Sequence, residues 1–394
     1  MKYTLAITQQ CDLACDYCYV GKKNAVMPFS TAKKIVDFVL DYAPKNEKID
    51  IGFFGGEPLL EFDLIKKITN LIQSHISFDL DRTTLSVATN GTIFSKEIAD
   101  FLMKNNMVLC ISCDGPPFIQ DASRHFPDGR NSSGIVEKNI KEALRIFPLI
   151  PVNAVYSPEN LQYLPDVVDY LSSLGVKNIY LNPNISAKWT KKEAGMLPRI
   201  YGSIGKKYMD FYRQGKPKFI NLIDNKIVVI LRGGYKPLER CRMGGGEFAF
   251  APSGNIYPCE RLIGQDDGKA HCIGNINDGF IPGKTCKTIS AVNMECQTCG
   301  LREYCMNWCG CTNYFSTGKY DAVGPFICAS ENAAISAAFH VIQEMRENWQ
   351  NFSDHIAGTP LMNAIGEGIE ETRQDRILSE RTQPIEMQNR EHLL

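Results

Sequence analysis

Along the first 215 residues the apolar positions switch repeatedly between the period of two that marks strands and the period near 3.6 that marks helices. β-rich runs fall at 2–8 (KYTLAIT), 48–54 (KIDIGFF), 84–89 (TLSVAT), 107–113 (MVLCISC), 152–156 (VNAVY) and 178–182 (NIYLN). Amphipathic helical stretches lie between them at 31–42, 63–75, 95–106, 136–147 and 164–175. Ser30 and Ser95 are expected to cap helices, and Gly175 to follow the end of one near Leu174. Strand-then-helix order predicts a parallel sheet with right-handed crossovers. Six such units are two short of a closed eightfold barrel, and the pattern leaves an open doubly wound sheet as the alternative.

A helix-rich bridge is expected near 190–230, around WTKKEAGMLPRIYGSIGKKYMDFYRQ. From Cys241 to Cys328 periodicity gives way to Gly, Pro and Cys-rich loops, with short extended pieces such as EFAFAPSGNIYPC and too few apolar residues for a conventional core. Metal–ligand bonds are expected to substitute there. The end begins as an apolar helix (AAISAAFHVIQEM) and turns polar, as a solvated helix or loose tail. The expected division is 1–215, 216–335 and 336–394.

The composition is that of an ordinary globular chain, 44% hydrophobic and 22% charged with net charge −1, which provides no footprint for nucleic acid or an anionic membrane. The longest apolar stretches, IDIGFF and NKIVVIL, are strand-length rather than membrane-spanning. The start MKYTLAITQQ lacks the features of a secretory signal, so a cytoplasmic location is expected. Fifteen cysteines are therefore anomalous, because thiols in that compartment stay reduced. Metal ligation is the leading account. Three sit near the start, Cys110 and Cys113 inside the fourth strand read as small core residues, and ten crowd between 241 and 328.

Cys11, Cys15 and Cys18 form a Cys-x3-Cys-x2-Cys run directly after the first strand. Three thiolates can hold three irons of a cubane cluster and leave the fourth open to a ligand, whereas four would imply a sealed carrier or a zinc site. In a parallel α/β sheet the site lies at the carboxyl ends of the strands. Strand two ends in Gly55-Gly56-Glu57-Pro58, strand three in Thr89-Asn90-Gly91 and strand four in Ser112-Cys113-Asp114-Gly115. The glycines are expected to let backbone approach a ligand; a plain strand-to-helix turn is the alternative for GGEP.

The triplet, with Tyr17 just before its third cysteine and GGEP about forty residues on, resembles the radical S-adenosylmethionine (SAM) superfamily over roughly residues 3–215. The resemblance implies a partial, laterally open (β/α)6 barrel of TIM-like winding. It implies that Cys11, Cys15 and Cys18 hold a [4Fe–4S] cluster whose open iron chelates SAM. Gly55, Gly56, Glu57 and Pro58, with Tyr17, Asn90 and Ser112, would line the SAM site. Reduction by an external donor of flavodoxin or ferredoxin type would cleave SAM to a 5′-deoxyadenosyl radical, which abstracts a substrate hydrogen.

Downstream, Cys241 is followed by twelve residues, Gly254, four more and Cys259; then come Cys296-x2-Cys299-x5-Cys305-x3-Cys309 and finally Cys328. These spacings resemble the loop-rich iron–sulfur SPASM domain of radical SAM enzymes that modify peptides and proteins. The resemblance implies two auxiliary [4Fe–4S] clusters, three in all, with Cys241, Cys259 and Cys309 on the first and Cys296, Cys299, Cys305 and Cys328 on the second. Zinc is the alternative for Cys-x2-Cys pairs. The first cluster lacks a fourth ligand: Cys272, Cys286 or Cys311 would supply it, or an iron stays open for a substrate thiolate. Glu260 is the candidate proton acceptor, standing where sulfatase-maturating relatives place Asp, with an ion pair to Arg261 as the bland alternative and His271 as a weaker candidate.

The expectation is maturation of a ribosomally made peptide by a thioether or carbon–carbon crosslink. The alternatives are formylglycine formation in a sulfatase and a non-catalytic iron–sulfur protein. Only ten residues precede Cys11, so leader recognition is expected to need another protein or the C-terminal region.

Overall fold

All six β-rich runs form strands: β1 (Lys2–Thr8), β2 (Ile49–Gly55), β3 (Thr83–Thr89), β4 (Val108–Ser112), β5 (Pro151–Tyr156) and β6 (Asn178–Pro183). They belong to a computed structural model that describes residues 1–284 and 293–345. Each strand pairs in parallel with the next, and a short β7 (Phe219–Ile220) follows β6. Strand order equal to chain order, with no reversal, excludes the doubly wound alternative and is the winding of a partial barrel.

The connecting helices are α1 (Phe29–Tyr42), α2 (Phe62–Ser74), α3 (Lys96–Lys104), α4 (Pro117–Ser123), α5 (Ser133–Ile146) and α6 (Leu164–Ser173). Their apolar faces, such as Ile35, Val36 and Val39 of α1, pack on the sheet and form one continuous core with its inward residues. Ser95 caps α3 by accepting a 3.3 Å hydrogen bond from the Ile98 N–H. Gly175, with φ of +96°, ends α6. Ser30 is not a cap, because α1 starts one residue earlier, after Pro28. Proline presets the helical entry there without a side-chain acceptor.

The bridge is α7 (Lys191–Arg213), opened by a Thr190–Glu193 capping box, followed by α8 (Asn221–Leu231). The run NKIVVIL, at the end of the expected helix-rich bridge, belongs to α8. It is apolar on several sides because α8 lies between the barrel, α7 and a long later helix. After 241 the short extended pieces expected in EFAFAPSGNIYPC are strands, and the departure from expectation is that they pack on the barrel. Strands β8 (Glu247–Phe250), β9 (Asn255–Tyr257), β10 (Gly274–Asn275) and β11 (Gly279–Phe280) extend the barrel sheet, β8 pairing in parallel with β1. Phe248, Phe250, Ile256 and Ile273 join the main core. The stretch needs little core of its own because it covers the free edge of β1. Three helices complete the fold: α9 (Met294–Gln297), α10 (Gly310–Thr317) and α11 (Pro325–Met345). The tail expected beyond Met345 lies outside the described residues, as does Cys286. Among the described residues no helix is long and apolar enough to cross a membrane.

Candidate active site

The carboxyl ends of β1 to β5 open onto a cavity of about 370 Å³. Its wall includes Cys11, Cys15, Tyr17, Cys18, Gly55, Gly56, Asn90 and Ser112, so most of the residues singled out in the sequence converge on one space. Burial pushes the Cys11 thiol up to about 11 and raises Cys15 as well, so their thiolate forms are unfavourable until a cation arrives. Soft sulfur donors in such a pocket suit iron.

The paired glycines line the cavity and also meet another loop of the protein. Gly55 has φ of +140°, and a Cβ on it would lie 2.1 Å from the Thr8 carbonyl oxygen; one on Gly56 would lie 1.9 Å from that of Gln10. The Gly56 and Glu57 N–H groups donate to these same carbonyls at 2.9 and 2.8 Å. The close approach is therefore between two loops of the protein, and it clamps the loop that carries Cys11. Gly56→Ala is expected to cost at least about 1–3 kcal/mol and to lower iron incorporation, read by thermal unfolding and iron content.

Glu57 and Pro58 do not line the cavity; Glu57 lies fully buried beneath it. Its carboxylate accepts hydrogen bonds from the Leu59 N–H (3.0 Å), the Thr89 hydroxyl (2.8 Å) and the Asn90 N–H (2.7 Å), which ties β2's end to β3's. Burial outweighs these three donors and raises its pKa from 4.5 to about 7. An acid raised on folding contributes stability that is fully present below about pH 4.5 and is lost as pH rises through about 7. The stability gap between wild type and Glu57→Gln is therefore expected to narrow by up to roughly 3 kcal/mol over that window, followed by the thermal midpoint against pH.

Asn90, read as a ligand contact, is largely committed to the triplet loop. Its amide donates to Asp12 at 2.7 Å and lies 3.8 Å from the Cys11 sulfur, while its oxygen accepts from the Thr92 N–H and hydroxyl. Tyr17 is braced likewise: its hydroxyl donates to Asp114 at 2.6 Å and accepts from Arg124 at 2.7 Å. Sequence reasoning missed Arg124. It is buried, it lines the cavity, and its Nε has no hydrogen-bond partner among the described residues. An orphaned guanidinium donor fits an anionic ligand group such as a carboxylate. Cys113 is a core residue as expected, but Cys110 faces the cavity, its sulfur 2.9 Å from the Asn153 amide.

A second cavity of about 580 Å³ adjoins the first. Cys241, Cys259, Cys309 and Cys311 all line it. The hairpin turn at Gly254, with φ of +86°, reverses the chain between β8 and β9 and returns Cys259 toward Cys241. Cys272 lies elsewhere, in a small cluster with Ala6, Ala249 and Tyr257, donating to the Gly274 carbonyl at 3.2 Å. Cys296, Cys299 and Cys305 form a separate group with Cys328 in the first turn of α11; burial first, and then neighbouring negative charge, that of other thiols included, raises Cys296, Cys305 and Cys328. The structure thus groups these thiols in two places, and thiolates are soft donors suited to iron.

Glu260 lies at the junction, one of four residues with Lys2, Asn182 and Arg261 that line both cavities. Its ion-pair partner is Lys2 at 3.3 Å, not the neighbouring Arg261, which donates instead to Thr312. Burial pushes the Glu260 carboxyl up, but the Lys2 and Arg261 cations overcome it and hold the group ionised below its ordinary range. Lys2 also pairs with Glu247 at 3.1 Å. His271 is structural: its ring bonds the Tyr320 hydroxyl and packs edge-on against Tyr314.

Comparison with known proteins agrees with this geometry. The radical SAM superfamily model matches residues 5–171. An uncharacterized protein of Methanocaldococcus jannaschii is 30% identical over 277 residues, 70% of this chain and 88% of its own length. The radical SAM cyclopropyl synthase TigE of Paramaledivibacter caminithermalis is 24% identical over 77% of this chain and 66% of its own. A cysteine-type anaerobic sulfatase-maturating enzyme of Clostridium perfringens is 25% identical over 76% and 85%. In fold, the chain is similar to anSMEcpe with bound AdoMet and the Cp18Cys peptide, at TM-score 0.72 and 21% identity over 88% of this chain and 99% of that one. It is also similar to Streptococcus suis SuiB bound to its precursor peptide SuiA, at TM-score 0.56 and 16% identity over 83% and 75%. With its triplet, its strand-end loops and its partial barrel in place, the chain belongs to the radical SAM superfamily.

Proposed function

We propose that this radical SAM enzyme oxidises a side chain or Cα position of a peptide or protein, forming a thioether or carbon–carbon crosslink. The observation that carries the proposal is the sharing of Lys2, Asn182, Glu260 and Arg261 between the two cavities. Substrate held at that junction reaches both the triplet and the Cys241–Cys259–Cys309 site.

When bound, SAM and a reduced cluster on Cys11, Cys15 and Cys18 supply a 5′-deoxyadenosyl radical, and the auxiliary clusters supply an electron acceptor. The protein's contribution is positional. The Gly55–Gly56 clamp fixes Cys11, and Tyr17 and Arg124 define the cavity wall, where the Arg124 guanidinium would supply positive charge to the SAM carboxylate. Glu260, ionised beside Lys2, receives the proton released when the substrate radical forms its new bond. The balance is one hydrogen atom to the adenosyl carbon, one electron to the auxiliary site and one proton to Glu260. The product is lighter by two hydrogen atoms.

Formylglycine formation uses the same machinery. The sulfatase-maturating relative, 25% identical over 85% of its own length, supports it as the second reading. The reduced enzyme, a flavodoxin or ferredoxin as donor, SAM, and either a sulfatase-derived peptide or a small Cys-rich peptide encoded beside the gene would separate the two. Loss of two hydrogens with sulfur retained in the Cys-rich peptide is the expected result. An aldehyde in the sulfatase peptide, with the other untouched, would replace crosslinking by formylglycine formation.

A further inference from the structure

We infer that Cys311 is the fourth ligand of the first auxiliary cluster, so that this cluster has no iron open to substrate. The inference rests on the proposed function, because it takes the Cys241–Cys259–Cys309 site to hold iron. The Cys311 sulfur is 3.8 Å from that of Cys309 and shares a hydrogen bond with Cys259. Cys241, Cys259, Cys309 and Cys311 pack in one cluster with Met243 and Leu262, and all four line the same cavity.

The local chain explains why they meet. Cys309 is the N-cap residue of α10, with extended backbone (φ −76°, ψ 93°), and Cys311 is the second residue of the helix; the non-helical cap leaves the Cys309 sulfur 3.8 Å from that of Cys311. Arg261 lies beside the group and brings positive charge to it. The rival cysteine Cys272 is engaged in the neighbouring cluster. Among the described residues, the carboxylates of Glu247 and Glu260 are also near, their donor atoms lying with that of Cys259 within 4.8 Å of one another. Lys2 already binds both carboxylates, and four sulfurs are the softer set for iron. Cys311 binds as thiolate, its proton passing to solvent. The consequence is mechanistic: the first auxiliary cluster exchanges electrons with substrate across space and does not hold a substrate sulfur on iron.

The test uses the full-length, anaerobically reconstituted and reduced protein with saturating SAM, which occupies the triplet's open iron. Electron–nuclear double resonance with ¹³C-cyanide is expected to show no carbon coupling in wild type. Cys311→Ala should gain that coupling, and Cys311→Ser should retain iron with shifted g values. Cyanide coupling in wild type overturns the inference, even if the alanine variant fails to fold. So does a Cys311→Ser protein whose spectrum matches wild type. Iron content separates the two levels: roughly four irons per chain would remove the auxiliary clusters themselves, whereas roughly twelve with an open site removes only the role of Cys311.

Discussion

Replacing Cys15 by Ala is expected to reduce 5′-deoxyadenosine formation to the background of SAM incubated without protein. Cys15 lies between its two partner thiols in the chain, on the wall of the 370 Å³ cavity. Two remaining thiolates do not hold a cubane cluster, so no iron is left to bind and reduce SAM. The auxiliary cysteines line a different cavity or group with Cys328 in α11, and their clusters should survive. Iron content should therefore fall by about a third rather than to zero, and the SAM-responsive part of the electron paramagnetic resonance spectrum should vanish while the rest remains. Unchanged 5′-deoxyadenosine yield would remove the catalytic role of the triplet.

Glu260→Gln is expected to lower the modified peptide by about 10²–10⁴-fold, the usual contribution of a positioned proton acceptor, while SAM cleavage continues. The substitution keeps the side chain's size but leaves no carboxylate to receive the substrate proton. It also removes one of the two anions that hold Lys2. The two readouts separate chemistry from structure. A folding defect lowers 5′-deoxyadenosine and product together, whereas loss of the acceptor lowers product alone. Glu260→Asp should restore part of the product, because the charge returns with the carboxylate drawn back toward the main chain. Equal losses of both products in Glu260→Gln would assign Glu260 a structural role through Lys2.

The strands and helices of the barrel were legible because each carries its own periodicity, and β1 runs over the same residues that its apolar pattern marks. The packing of the bridge was not legible: NKIVVIL lies at the end of the expected helix-rich stretch, but only burial among α7, α11 and the barrel explains why its helix is apolar on several sides. The site divides in the same way. Spacing placed the triplet on the rim that strand ends share in a parallel sheet, whereas the grouping of the later thiols came from the resemblance. Long-range side-chain partners were invisible: Lys2 meets Glu260 across 258 residues of sequence and Tyr17 meets Arg124 across 107. Nothing local to RHFPDGR marks Arg124 as part of the cavity. The close approach of Gly55 and Gly56 to the Thr8–Gln10 backbone was invisible for the same reason. Cys311 is legible only in three dimensions, because Cys272 and Cys286 are equal candidates by sequence.

The central claim is that a radical made at the triplet takes hydrogen from a peptide lying across the junction at Glu260. Its most direct measurement is deuterium transfer. The reduced enzyme is given SAM and a perdeuterated candidate peptide, and the 5′-deoxyadenosine is weighed. The account predicts deuterium in the 5′-deoxyadenosine and a peptide lighter by one deuterium and one further hydrogen isotope. SAM cleavage that never draws deuterium from any peptide, at a rate that peptide does not change, would contradict it.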